Sequence, residues 1–365
     1  MSTQAPVPLS VLRGHDAPVN CVSFLSASSI ISGAGDGVMK IWNLRTRREL
    51  TTNVSAHSRA GVLHVAALRA ADGSRQKFVS QGRDGFVKLW DEETFNRRAN
   101  PLAKFYCGSF SFTKFATLRW PSEDAGSSNL ILSPTDVDNK LVIYDIRSDS
   151  SLPALTLTVP HTNEKRMCMS LSLFNSSVAK SENGAGGNVQ TYIGAGFECG
   201  QFVIMDLRSG GKVACETTVT SGDEACKCCI GFKFYVCHLV ISFDVTDNGR
   251  RAICGSSGES LYEGNFDVAS YTLQSRAFFS CTHGGFSDIC IRGDQRIVAS
   301  AGWDHRVRIF HLRKLKPLAI LKYHSESVHG LDFSDDSTIL TSSSKDRRLA
   351  IWSVFSSSTS AARPY

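Results

Sequence analysis

Serine, histidine and aspartate are the residue types of nucleophilic hydrolysis, and they recur at fixed spacing along this chain of 365 residues. The segments are IISGAGDGVMKIWNL from Ile30, FVSQGRDGFVKLWDE from Phe78, VASAGWDHRVRIFHL from Val298 and ILTSSSKDRRLAIWSV from Ile339. Each holds a serine (Ser32, Ser80, Ser300, Ser342), an aspartate four residues on (Asp36, Asp84, Asp304, Asp346) and an aromatic six further (Trp42, Trp90, Phe310, Trp352). A histidine precedes three of these aspartates by 21 or 22 residues: His15, His283 and His324. A catalytic triad brings one serine, one base and one orienting carboxylate together at a single place. A set that returns with each repeat serves the repeat instead, so these residues are read as structural and no catalytic residue is assigned.

A second constellation, Cys226, Cys228, Cys229 and Cys237 with His238 beside them, has the residue types of a zinc site. Its spacing lacks a recurring CxxC pair, and adjacent Cys228 and Cys229 on an extended segment point to opposite sides. The alternative is an apolar strand or insertion around GFKFYV, with His238 at the histidine place of a fifth repeat. No metal or cofactor is expected, and no phosphate-cradling loop, catalytic carboxylate pair or HExxH helix is present. The twelve cysteines fall at irregular spacings, as reduced thiols of an intracellular protein would. The sequence shows neither a signal peptide at its start nor a long apolar run. Forty basic against 34 acidic residues leave +6, too little and too scattered for a dedicated nucleic-acid binder.

The elements that must position the repeated set are strands. Val38, Lys40 and Trp42 alternate with Met39 and Ile41, and the Asp with its Gly or polar neighbours marks a tight turn between two such runs. Weaker copies fill the middle: Asp138 with Tyr144, Cys199 with Met205, and Gly258 with Gly264. The aromatic places then number seven. Periods of 40 to 45 residues with a Gly-His start and a Trp-Asp-like end are the signature of four-stranded propeller blades. On these residues the chain resembles the WD40 family, which implies an all-β, seven-bladed propeller in which His, Ser, Asp and Trp form a hydrogen-bonded tetrad within a blade. Blade cores are expected near 15–50, 57–95, 105–148, 161–209, 236–267, 280–313 and 321–355, with a short tail at 356–365 and one domain over 1–355. The polar stretches Pro121–Asn129 and Asn175–Asn188 read as insertions between the first two strands of blades three and four. Leu9–Leu12 lacks a blade of its own and blade seven lacks an outer strand, so the N-terminal strand is expected to close the ring in the last blade.

The WD40 resemblance also implies that the Asp-bearing turns lie on the face that usually binds partners. Their neighbours in blades six, seven, one and two include Trp303, His305, Lys345, Arg347 and Arg83, with no acid at the sampled places. An acidic peptide docking there with Trp303 as anchor is one expectation; a Trp303 packed into a neighbouring loop is the other.

The run ASAGWDHRVRIFHLRKLKPLAILKYHSESVHGLDFS, the closing SSSKDRRLAIWSVF, the opening PLSVLRGHDAPVNCVSF and AGFECGQFVIMDLRSG resemble the family of ASTRA-associated protein 1 and guanine nucleotide-binding protein subunit beta-like protein 1. That resemblance implies a scaffold in chromatin-linked ASTRA-type assemblies and in the chaperone-linked maturation of phosphatidylinositol-3-kinase-related kinases, in nucleus or cytoplasm. The implied partners are proteins, with no direct nucleic-acid contact, no membrane and no self-association. A different resemblance lies in Asp145 with Arg147 and Asp206 with Arg208, which look like the WDxR boxes of cullin ubiquitin-ligase substrate receptors.

Overall fold

The computed structural model describes residues 6–68, 77–97, 100–108, 112–118, 129–137, 140–148, 151–159, 167–177, 189–198, 200–218, 239–267 and 270–354. Their strands form seven separate four-stranded antiparallel sheets. Six of the sheets are built from consecutive strands. The seventh joins Val328–Phe333, Ile339–Ser344 and Arg348–Ser353 to Ser10–Arg13, which pairs Leu12 with Leu349 and Ser10 with Ile351.

The first strand of each blade is the innermost. Val19–Ser26, Val62–Leu68, Ala116–Thr117, Cys168–Ser177, Val240–Val245, Phe286–Ile291 and Val328–Phe333 all contribute to the wall of a central cavity of about 210 Å³. Second and third strands are buried on both faces, as in Ile297–Gly302, where every residue is buried. Between neighbouring blades their apolar side chains merge into continuous clusters, such as that of Ile31, Val65, Phe78 and Trp90 across blades one and two. The propeller thus has a core layer between each pair of sheets, which is how short strands with little apolar surface each reach full burial.

The outer strands run past the stretches that the repeat spacing marks, to Asn53, Tyr106, Thr158, Thr218, Ser280 and Lys322. Their composition explains this: Arg48–Asn53 reads RELTTN, polar but for Leu50 and buried only at Asn53, so it carries little apolar alternation to read. The stretch Asn175–Asn188, expected as a loop, begins in strand, because Asn175–Ser177 complete Cys168–Ser177 and pair with Thr191, Gln190 and Val189. Residues 178–188, most of Pro121–Asn129, the turn places Asp138 and Cys199, and the cluster Cys226–His238 lie outside the described residues.

In blades one, two, six and seven the turn between the second and third strands ends on a left-handed residue. In blade one, Gly37 N donates to Ala34 O at 3.2 Å and Ala34 N to Val38 O at 3.0 Å, closing a three-residue loop whose last residue is left-handed. That residue is Gly37 (φ 84°) and Gly85 (φ 82°) in blades one and two, but His305 (φ 67°) and Arg347 (φ 66°) in blades six and seven. A side chain with a Cβ costs about 1 kcal/mol relative to glycine in that region.

Candidate functional site: a tetrad interior and a turn-bearing face

Among the described residues, two blades close the full tetrad. In blade seven His324 Nε2 lies 2.9 Å from Ser342 Oγ, His324 Nδ1 lies 2.9 Å from Asp346 Oδ2, and Trp352 Nε1 donates to Ser342 Oγ at 3.0 Å. Arg348 N and Ser325 N also donate to the Asp346 carboxylate. Burial alone would raise that carboxyl, but the His324 contact and these amides outweigh it and hold it below its ordinary range.

In blade two the histidine is one that the spacing did not single out. His57 Nε2 sits 2.8 Å from Ser80 Oγ, His57 Nδ1 sits 2.9 Å from Asp84 Oδ1, and Trp90 Nε1 donates to Ser80 Oγ at 2.9 Å. His57 precedes Asp84 by 27 residues instead of 21 or 22, because the connection between Val62–Leu68 and Lys77–Gly82 is longer than the two-residue link of blade one. Lys88 joins this tetrad, donating from Nζ to Asp84 Oδ2 and to Ala56 O, each at 2.6 Å. Against the upward push of burial, His57 and Lys88 bring the Asp84 carboxyl down to about 2.

Two of the expected sets do not close. His15 Nε2 meets Ser32 Oγ at 2.7 Å and Trp42 Nε1 donates to Ser32 Oγ at 2.8 Å, but Asp36 spends its Oδ1 on the Val38 amide and His15 Nδ1 is buried with no partner. Burial, reinforced by Lys40, pulls His15 down to about 4. In blade six His283 is exposed and meets Thr282, not Ser300. Phe310 has no N–H to give, so Ser300 Oγ is buried and unpartnered. Asp304 is held instead by Arg308, whose Nη1 donates to Oδ1 at 2.9 Å and whose guanidinium lies 5.6 Å from the Phe279 ring. Because the Ser300 hydroxyl loses water and gains nothing, Ser300→Ala is expected to be neutral or to stabilise by up to about 1 kcal/mol. Ser342→Ala, which strands His324 and Trp352, is expected to cost about 1–3 kcal/mol. Thermal melts of the two variants check this contrast.

Other polar locks lay outside the repeated motif. On the innermost strands, Asp244 Oδ2 accepts Ile291 N of blade six at 2.7 Å, Asp288 Oδ2 accepts Leu331 N of blade seven at 2.8 Å, and Asp332 Oδ2 accepts Phe24 N of blade one at 2.8 Å. Lys114 crosses the cavity to Asp288 at 3.0 Å, tying the link into blade three to blade six. Blade five is braced by Glu263, buried between Arg251 and Arg276, while Arg251 Nη1 donates onward to Leu312 O at 2.8 Å. A charged residue within a strand-like run is the one sequence signal that Asp244, Asp288, Asp332 and Glu263 share.

On the turn-bearing face, Trp303 is 41% exposed and its indole N–H donates to Ser287 Oγ at 2.8 Å. Its ring presses on Gly285, where a Cβ would stand 2.0 Å from the indole, so one side of Trp303 is packed into the neighbouring loop and the rest is open. Arg83 and Arg347 are exposed and His305 is half-buried. Lys345 has Glu326 at 3.8 Å, an acid from the adjoining loop that the turn sequences alone did not sample. The face therefore offers Arg83 and Arg347 as exposed cations, with Lys345 partly offset.

On the opposite turns, Asp145 accepts the Arg147 amide at 3.0 Å and Asp206 the Arg208 amide at 2.9 Å, the local bonds of an Asx turn. The Arg147 guanidinium folds back on Asp145 at 2.6 Å, and Arg208 Nη2 reaches Val189 O at 3.3 Å.

Burial pushes the thiols of Cys21, Cys107, Cys168, Cys215 and Cys254 up to about 12, so none of these five is a thiolate near neutral pH. Among the described residues no group of three or more His, Cys, Asp or Glu could hold a metal, and no helix is long and apolar enough to cross a membrane.

Seven four-stranded blades, two of them with a closed His–Ser–Asp–Trp set, define a WD40 β-propeller, a class of protein-interaction scaffold, and the WD domain, G-beta repeat model matches residues 6–43, 274–311 and 315–353. Guanine nucleotide-binding protein subunit beta-like protein 1 of Mus musculus is 30% identical over 359 residues, covering 96% of this chain and 97% of that protein. ASTRA-associated protein 1 of Schizosaccharomyces japonicus is 23% identical over 96% of this chain and 99% of its own length, and that of Aspergillus niger 23% over 92% and 84%. The chain belongs to the family of guanine nucleotide-binding protein subunit beta-like protein 1 and ASTRA-associated protein 1.

Proposed function

We propose that this chain is a non-catalytic adaptor of ASTRA-type, chromatin-linked assemblies that takes part in the chaperone-linked maturation of phosphatidylinositol-3-kinase-related kinases, in the nucleus, the cytoplasm or both. The observation that carries a partner-binding role is the pair His305 and Arg347. Each occupies the left-handed turn position that blades one and two give to glycine. Residues held in such strained backbone conformations cluster at binding and catalytic sites. With Trp303, Lys345 and Arg83 these residues make a sector of one face suited to an acidic segment of a partner. The assembly itself is inferred from the names of the relatives.

Affinity purification of the tagged full chain with mass spectrometry tests the reading. It predicts recovery of ASTRA subunits, kinase-maturation chaperones and the large kinases together. Recovery of a cullin adaptor in their place, lost on Arg147→Ala with Arg208→Ala, would contradict it.

A further inference from the structure

A second feature of the turn-bearing face lies over blades two and three, away from Trp303. Phe112 is 60% exposed, Tyr106 55% and Val137 48%, three large apolar side chains left in water around the link between these blades. Phe112 does not dangle there. The residues after it are anchored: Thr113 and Phe115 are buried, Gln81 Nε2 donates to Thr113 O at 3.0 Å, and Phe115 N donates to Gln81 Oε1 at 2.8 Å. Gln81 thus replaces a strand's backbone bonds and fixes the link on which Phe112 stands. Tyr106 is supported edge-on by Phe86 at 5.8 Å.

Charge gives this patch a direction. The Arg83 guanidinium lies over the Phe112 ring at 4.9 Å and has no carboxylate partner among the described residues. At the other end the Tyr106 hydroxyl reaches Asp136 Oδ2 at 3.5 Å, next to Val137. A guanidinium stacked on an aromatic ring keeps its N–H edge free for a carboxylate while its face stays apolar. Rigid aromatics bury area at small conformational cost.

We propose that Arg83, Phe112, Tyr106 and Val137 form a docking site for an extended segment of a partner protein in which an aromatic or long aliphatic side chain stands beside a carboxylate. The apolar side chain covers Phe112 and Tyr106; the carboxylate takes the Arg83 edge, pointing away from Asp136. This rests on the adaptor reading and adds a second contact to it, separate from Trp303 and Lys345.

Fluorescence anisotropy on the full chain tests it with short synthetic peptides holding a central Trp, Phe or Leu flanked by Glu, by Gln or by Lys. Glu-flanked peptides are expected to bind at least about tenfold tighter than Lys-flanked ones. Phe112→Ala and Arg83→Glu should each weaken them about tenfold or more, Arg83→Lys should retain part of the affinity, and Arg45→Glu, on the exposed turn between Met39–Asn43 and Arg48–Asn53 of the opposite face, should leave it unchanged. The substituted side chains are all exposed, so thermal melts should match the parent. The proposal fails if no peptide discriminates by flanking charge, or if binding survives both Phe112→Ala and Arg83→Glu. Because the readout uses purified components, it is independent of whether ASTRA subunits co-purify, and either idea can fall alone.

Discussion

Asp84→Ala is expected to destabilise the protein by about 3–5 kcal/mol, the cost of leaving a buried charge without its counter-ion. The carboxylate joins two groups at once, His57 at 2.9 Å and Lys88 at 2.6 Å. Without it the Lys88 ammonium, with 7% of its side chain exposed, keeps only the Ala56 carbonyl. His57 loses the acceptor that fixes its ring toward Ser80, so the Ser80–Trp90 bond loosens too. Asp84→Ala with Lys88→Met removes the stranded charge and is expected to recover a large part of the loss. Urea midpoints of the single and double variants are the measurement. A cost below about 1 kcal/mol for the single variant would mean that this set does not hold the blade.

Acid is expected to act on blade one through His15. Its ring is buried, burial and Lys40 favour the neutral form, and Asp36, Glu49 and Asp16 oppose them without prevailing, leaving a value of about 4. In the unfolded chain the same ring takes a proton near pH 6.5. Between those values the unfolded state binds the extra proton, so stability is full above about pH 6.5 and falls as the pH drops toward 4. The shift corresponds to about 3 kcal/mol. His57, His64 and His329, also lowered by burial, add to the loss in the same direction. The carboxyls of Asp84 and Asp346, held low, contribute only below the ordinary range of carboxylates. His15→Gln, which can still meet Ser32, should flatten the dependence by about 3 kcal/mol across the window in urea unfolding. An unchanged slope would contradict it.

How much of this the sequence displayed depends on which physical signal carried it. The blade count was legible because third strands bury an aromatic at a fixed distance from a turn, and the seven places from Trp42 to Trp352 survive even where Met205 and Gly264 replace the ring. The turns were legible because Asp and Gly have few other uses at that spacing. The tetrads were half legible. Residue type and spacing placed Ser300 and His283 in one, but a tetrad also needs a donor at the aromatic position and a histidine buried in the blade, and Phe310 and an exposed His283 supply neither. Conversely, His57 was hidden because six more residues separate the first and second strands of blade two than those of blade one, which lengthens the sequence between His and Asp without moving them apart in space. The locks at Asp244, Asp288, Asp332 and Glu263 depend on contacts between blades or with an outer strand, which no single repeat shows. At the partner face the sequence supplied the residues; Glu326 beside Lys345 and Phe112 beneath Arg83 come from loops that only the fold brings alongside.

The central claim is a division of labour: buried His–Ser–Asp–Trp sets hold the blades, and the exposed turn residues hold partners. Quantitative affinity purification of three forms, the parent, Asp346→Ala and Arg83→Glu with Lys345→Glu, each paired with a thermal melt, tests it most directly. Asp346→Ala should lower the melting temperature while binding partners as well as the parent per folded molecule. The charge-reversed form should melt like the parent and lose partners. An Asp346→Ala protein that folds stably yet binds nothing, or a charge-reversed form that binds fully, would contradict the account.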